Sequence, residues 1–149
     1  MNPIKWRSDN LPVTETDIVK LEGVVGIVLP DSYKEIVKSY DNGRPRPRCF
    51  DLKNREGVVF NSLLSFSIPG GDNIFEVYNR TKSDIGKRVL PFADDPFGNL
   101  ICFDYRETDN NPPIVFWDHE ADSDAGEESL KFVANSFDEF LDMLYEPDD

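Results

Sequence analysis

From Thr14 onward, apolar residues recur at helical spacing. Ile18, Leu21 and Val25 follow Thr14 as a cap, with Glu15 and Asp17 in the first turn, where negative charge suits the helix dipole. Gly23 or Gly26 is expected to end that helix. A second helix is predicted with Pro30 in its first turn, where a missing N–H costs nothing. Tyr33, Ile36, Val37 and Tyr40 then fall at i, i+3, i+4 and i+7, opposite a Lys34/Glu35/Lys38 outer face. Asn42-Gly43 is the expected left-handed C-cap.

Beyond Gly43 the period changes. Arg44-Pro45-Arg46-Pro47-Arg48 reads as an exposed loop, because proline cannot donate to a ladder. Short strands are predicted at Cys49–Leu52, Gly57–Phe60 and Leu63–Ser67, with Pro69-Gly70-Gly71 as a turn. Asp72 or Asn73 can cap a short helix through Ile74, Phe75 and Tyr78 that ends near Lys82. Runs rich in Val, Ile, Phe, Tyr or Trp follow at Arg88–Phe92, Leu100–Tyr105 and Pro113–Asp118, separated by turn formers. A last strand, Leu130–Ala134, leads to Ser136 and Glu139 as a reciprocal capping box, and Phe137, Phe140, Leu141 and Leu144 give the closing helix its apolar stripe. The order of elements predicts an α+β fold: a mostly antiparallel sheet of about six strands flanked by N-terminal helices and a C-terminal helix. Residues 1–149 are expected to form a single domain, with 1–13 an irregular lead-in and 146–149 a frayed acidic end.

Charge adds a second pattern. The 149 residues carry 16 basic and 29 acidic side chains, a net charge of −13. Residues 1–55 hold ten basic and eight acidic side chains, whereas residues 94–149 hold two and 17, a balance of −15. Such a chain has no general affinity for phosphate backbones and is repelled by anionic membranes, so neither nucleic acid nor membrane is an expected partner. A basic protein partner is. The N-terminus has no apolar signal region and no run reaches a membrane span, so a cytoplasmic location is expected, with Cys49 and Cys102 as reduced thiols.

Catalytic patterns are scarce. His119 is the single histidine, inside Trp117-Asp118-His119-Glu120, and reads as a surface residue paired with a carboxylate. No nucleophile elbow, phosphate loop or dinucleotide fingerprint occurs. Asp118 to Asp124 alternates oxygen ligands but fails the EF-hand register, because Ser123 and Ser129 occupy the glycine and bidentate glutamate positions. The expectations are therefore no enzyme activity, no cofactor and no metal. Arg44, Arg46 and Arg48 lack stacking aromatics nearby, which argues against an RNA site.

Several segments together resemble the SUKH (Smi/Knr-type) superfamily. Leu29-Pro30-Asp31-Ser32-Tyr33-Lys34-Glu35-Ile36, leading to Tyr40-Asp41-Asn42-Gly43, is similar to its opening "LPxxYKxxLxxYNGG" helix. Leu90-Pro91-Phe92-Ala93-Asp94-Asp95, with Gly98-Asn99 and Ile101-Cys102-Phe103-Asp104, resembles "PFAxDxxGNxxxxD". Val115-Phe116-Trp117-Asp118-His119-Glu120 resembles "VxxWDHE", and Ala134-Asn135-Ser136-Phe137-Asp138-Glu139-Phe140-Leu141 resembles "ADSFxEFL". Arg44 stands where the pattern has a second glycine, and Asn135 where it often has Asp.

That resemblance implies a sheet of about six strands with flanking helices and, for most bacterial members, an immunity role. Such proteins bind and neutralise a cognate polymorphic toxin, frequently a nuclease. It brings no catalytic set. The expected function is thus non-catalytic binding of a toxin with a basic nuclease domain; the alternative is a regulatory or scaffold module, as in fungal regulators of cell-wall synthesis. The expected contacts are Asp94, Asp95, Asp118, Glu120, Asp122, Asp124, Glu127 and Glu128, with Tyr105 and Trp117 as aromatic anchors, because acidic side chains complement a phosphate-binding face and aromatics dominate interface energetics.

Overall fold

The computed structural model describes residues 3–121 and 129–147. Helix α1 (Glu15–Val25) opens with a full capping box: the Thr14 hydroxyl accepts from the Asp17 N–H at 3.2 Å, and the Thr14 N–H donates to the Asp17 carboxylate at 3.1 Å. Gly26 closes it in the left-handed region at φ 80°. In α2 (Asp31–Ser39), Pro30 sits one place earlier than the sequence suggests, as an extended N-cap, and the helix stops at Tyr40. Asn42 is left-handed (φ 58°), but it serves the following turn, where its amide donates to the Leu63 carbonyl at 2.8 Å.

The arginine–proline stretch is not a loop. Arg44–Arg46 forms β2, paired antiparallel with β1 (Lys5–Arg7) in the lead-in that was expected to be irregular. Pro45, which has no N–H to donate, is tolerated because this ribbon has only two strands and both are edges. A second ribbon pairs β3 (Cys49–Leu52) with β4 (Arg55–Val59). The main sheet has the order β5 (Ser62–Leu63), β6 (Val89–Asp94), β7 (Leu100–Asp104), β8 (Ile114–Trp117) and β9 (Leu130–Ala134), antiparallel throughout.

β5 is shorter than the predicted Leu63–Ser67. From Ser65 onward the chain turns to the buried carboxylate of Asp41, which accepts from the Ser65 hydroxyl at 2.6 Å and the Phe66 N–H at 2.7 Å. Helix α3 (Ile74–Ile85) runs past Lys82, because Thr81 and Ile85 continue its buried stripe. Helix α4 (Phe137–Met143) is capped by Ser136, which accepts from the Glu139 N–H at 3.1 Å. The return bond of Glu139 goes to the N–H of Asn135 and not to that of Ser136.

The helices and sheet close on an aromatic core. Phe92 on β6 stacks on Phe103 of β7 with ring centroids 4.1 Å apart, and Tyr33 of α2 and Phe137 of α4 meet that pair edge-on. Phe140 extends the cluster to Phe50 and Phe60 beside the second ribbon. Cys49 and Cys102 are separate buried thiols. Among the described residues, no helix is long and apolar enough to cross a membrane.

Candidate partner-binding site at one end of the sheet

Strand register decides which candidate residues meet. Ser62 is opposite Asp94, Asp94 opposite Leu100, Leu100 opposite Trp117, and Trp117 opposite Leu130. One end of the sheet therefore gathers Asp94, Asp95, Trp117, Asp118 and Glu120. Tyr105 follows Asp104, which pairs with Val89 at the other end, so it does not join them. Its ring is fully buried and its hydroxyl donates to the Val28 carbonyl at 2.8 Å, which closes it to a partner. Asp122, Asp124, Glu127 and Glu128 lie outside the described residues. The chain leaves this end at Ala121 and returns at Ser129, whose carbonyl accepts from the Asp118 N–H at 2.9 Å.

The described acids mostly serve the fold. Half-buried Asp94 accepts from Asn61, the Ser62 N–H and the Ser62 hydroxyl at 3.1–3.2 Å. Burial nonetheless outweighs those bonds and holds its carboxyl above the usual range. Buried Asp95 organises the β6–β7 turn by accepting from the Phe97 and Asn99 N–H groups at 2.9 and 2.8 Å. Asp118, also buried, faces the Arg55 guanidinium at 3.1 Å and the Lys131 ammonium at 3.5 Å. Burial pushes its carboxyl up, but the Glu120 N–H and the two cations prevail and leave it below the ordinary value. Glu120 is the exposed member.

Two residues that sequence reasoning did not single out tie this end together. Asn99 donates its amide to Asp95 at 2.9 Å, which orients the amide oxygen toward His119. That oxygen accepts from the His119 N–H at 3.2 Å and lies 2.6 Å from its Nδ1, which faces an acceptor and so is the ring's donor there. His119 thus has an amide partner on one side of the ring and, 3.8 Å from Nε2, the Glu120 carboxylate that the sequence reading expects on the other. Phe97 is the second. It is 77% exposed at the tip of a turn whose backbone Asp95 pins and whose Gly98 abuts the His119 ring. An aromatic residue between a proline and a glycine, with no strand to pack on, was the available signal. Beside them, a cavity of about 670 Å³ is lined by Leu52, Lys53, Asn54, Arg55, Asp118, Lys131 and the largely exposed Phe132.

A family profile described as SMI1-KNR4 cell-wall (SUKH_6) matches residues 15–141. The chain belongs to the SMI1-KNR4 family. A SPbeta prophage-derived protein, YokK of Bacillus subtilis (strain 168), is 25% identical over 148 residues, covering 88% of this chain and 74% of that protein. Asp95, Asn99 and His119, all within the matched segment, hold the hairpin tip and the strand end together through the bonds given above. Among the described residues no group of three or more His, Cys, Asp or Glu side chains is arranged to hold a metal.

Proposed function

We propose that this SMI1-KNR4 chain is an immunity protein of the cytoplasm that neutralises a cognate toxin by binding it, without catalysis, through the end of the sheet that carries Phe97. The observation that carries this reading is Phe97 itself, 77% exposed on a turn held by Asp95, Asn99 and His119. A large ring displayed on a pre-ordered backbone loses little freedom on docking, which is how interface anchors earn their energy. Glu120 and the surplus of acids in residues 94–149 supply charge that suits the basic surface of a nuclease. The wording of the family description favours one rival, a regulatory module of cell-wall synthesis.

Co-expression with the protein encoded beside its gene tests the proposal. Rescue of growth and a 1:1 complex are expected, with Phe97→Ala lowering affinity by about tenfold or more, as for a hot-spot ring. A neighbour that is harmless alone, together with stable capture of wall-synthesis proteins, would transfer the assignment to the regulatory reading.

A further inference from the structure

The β1–β2 ribbon carries a charge arrangement that works against its own stability. Lys5 stands directly opposite Arg46, and Arg7 directly opposite Arg44, with all four side chains on the exposed face. Like charges in directly opposed strand positions repel. Trp6 and Pro45 point inward between them, and the Trp6 ring meets Phe60 edge-on at 5.8 Å. Arg48 joins the four cations in a cleft of about 270 Å³ between the ribbon and Val59–Asn61. Its Nε is buried with no hydrogen-bond partner. Among the described residues none of these five cations forms an ion pair with a carboxylate, as Arg55, Arg88, Arg106, Lys34, Lys38 and Lys131 do; other lysines and arginines such as Lys53 and Arg80 are unpaired too, and what sets these five apart is that they line one cleft. In a chain with 29 acids, five cations that line one cleft with no carboxylate paired to them make a site that an anion would complete.

We propose that this cleft binds a small ligand carrying two or more linked phosphates, with Arg48 at its floor and the two cross-strand pairs closing over it. Four of the five cations are arginine, whose planar forks match phosphate oxygens better than an ammonium does. A cleft of about 270 Å³ suits a compact anion and not a long chain laid across the ribbon face. The net charge of −13 selects against a long polyanion, which would run onto acidic surface. This site is independent of Phe97 and of the toxin reading.

The test titrates the full chain with sodium pyrophosphate by calorimetry and by tryptophan fluorescence, since Trp6 lines the cleft. Tripolyphosphate and ATP separate inorganic from nucleotide sources. Sulfate and a poly-glutamate peptide at matched ionic strength are the controls. Saturable 1:1 binding is expected, weakened about tenfold or more by Arg48→Gln and abolished by Arg44→Glu. Arg44→Glu also places a carboxylate opposite Arg7, so its melting temperature without ligand should equal or exceed that of the parent, which separates lost binding from lost folding. Equal affinity for sulfate and pyrophosphate, an unchanged constant in both variants, or preference for the acidic peptide would each overturn the proposal.

Discussion

Tyr33 shows what a single buried polar atom does in this core. Its ring is packed by Phe92, Phe103 and Phe137, and its hydroxyl is buried without a partner. Burial accordingly pushes its ionisation well upward. An unsatisfied buried hydroxyl costs about 1–3 kcal/mol, so Tyr33→Phe should stabilise the fold by about 1 kcal/mol, read as a higher urea midpoint at unchanged slope. A loss would show that the hydroxyl has a partner. Asp94 and Asp118 make a paired prediction with opposite signs. Asp94 has a folded value above the unfolded one, so the native state binds more protons and stability falls as pH rises through that interval. Asp94→Asn keeps an oxygen for the three donors and should gain on the parent between about pH 4 and 7. Asp118, held low, contributes stability that is present above about pH 4 and lost as pH falls through its folded value. Asp118→Asn should therefore lag the parent at pH 6, with the deficit closing on acidification. Denaturant melts across that range check both signs, and parallel profiles would refute them.

At the scale of elements, what was legible is what is local. Thr14, Asn73 and Ser136 announce helix starts because their oxygens reach donors two or three residues on. Asn73 accepts from both Phe75 and Glu76 and donates to Ile68, so Asn73→Ala should lower stability by about 1–2 kcal/mol, or several degrees in melting temperature. A change confined to α3 helicity, with no shift in melting, would mean that packing and not the cap sets this boundary. β9 was also readable in full, Leu130–Ala134, from its own side chains. The ribbon β1–β2 was not, because its pairing joins residues nearly forty positions apart and two prolines argue against a strand. β5 was overread for a related reason. The Leu63–Ser67 run has strand composition, but the competing acceptor, Asp41, lies more than twenty residues earlier. The candidate site follows the same rule: Asp95, Trp117, Asp118 and Glu120 could be named from composition, while Asn99 gains its meaning from His119 across the strands and Phe97 from the turn that displays it.

For the whole molecule, the balance of −15 in residues 94–149 overstates the open negative charge available to the proposed interface. Asp94 and Asp95 face donors of the fold, Asp118 is met by Arg55 and Lys131, and Asp104, in a two-pronged pair with Arg106, lies at the opposite end of the sheet. A buried paired carboxylate contributes little to long-range steering, whereas exposed Glu120 contributes fully and is screened within about 8 Å at physiological salt. The two parts of the proposed interface should then separate kinetically against the proposed toxin partner. Glu120→Lys should slow association at low salt, and its difference from the parent should fade as sodium chloride is raised, with dissociation unchanged. Phe97→Ala should leave association within about threefold and accelerate dissociation at every salt concentration, because a desolvated ring acts after encounter. Stopped-flow and surface-binding rates between 50 and 500 mM salt (about one to three decades of rate suffice) give both numbers. If Glu120→Lys changed only dissociation, or if Phe97→Ala changed neither rate, the partner would sit elsewhere on the molecule and the end of the sheet would be a structural feature of the family alone.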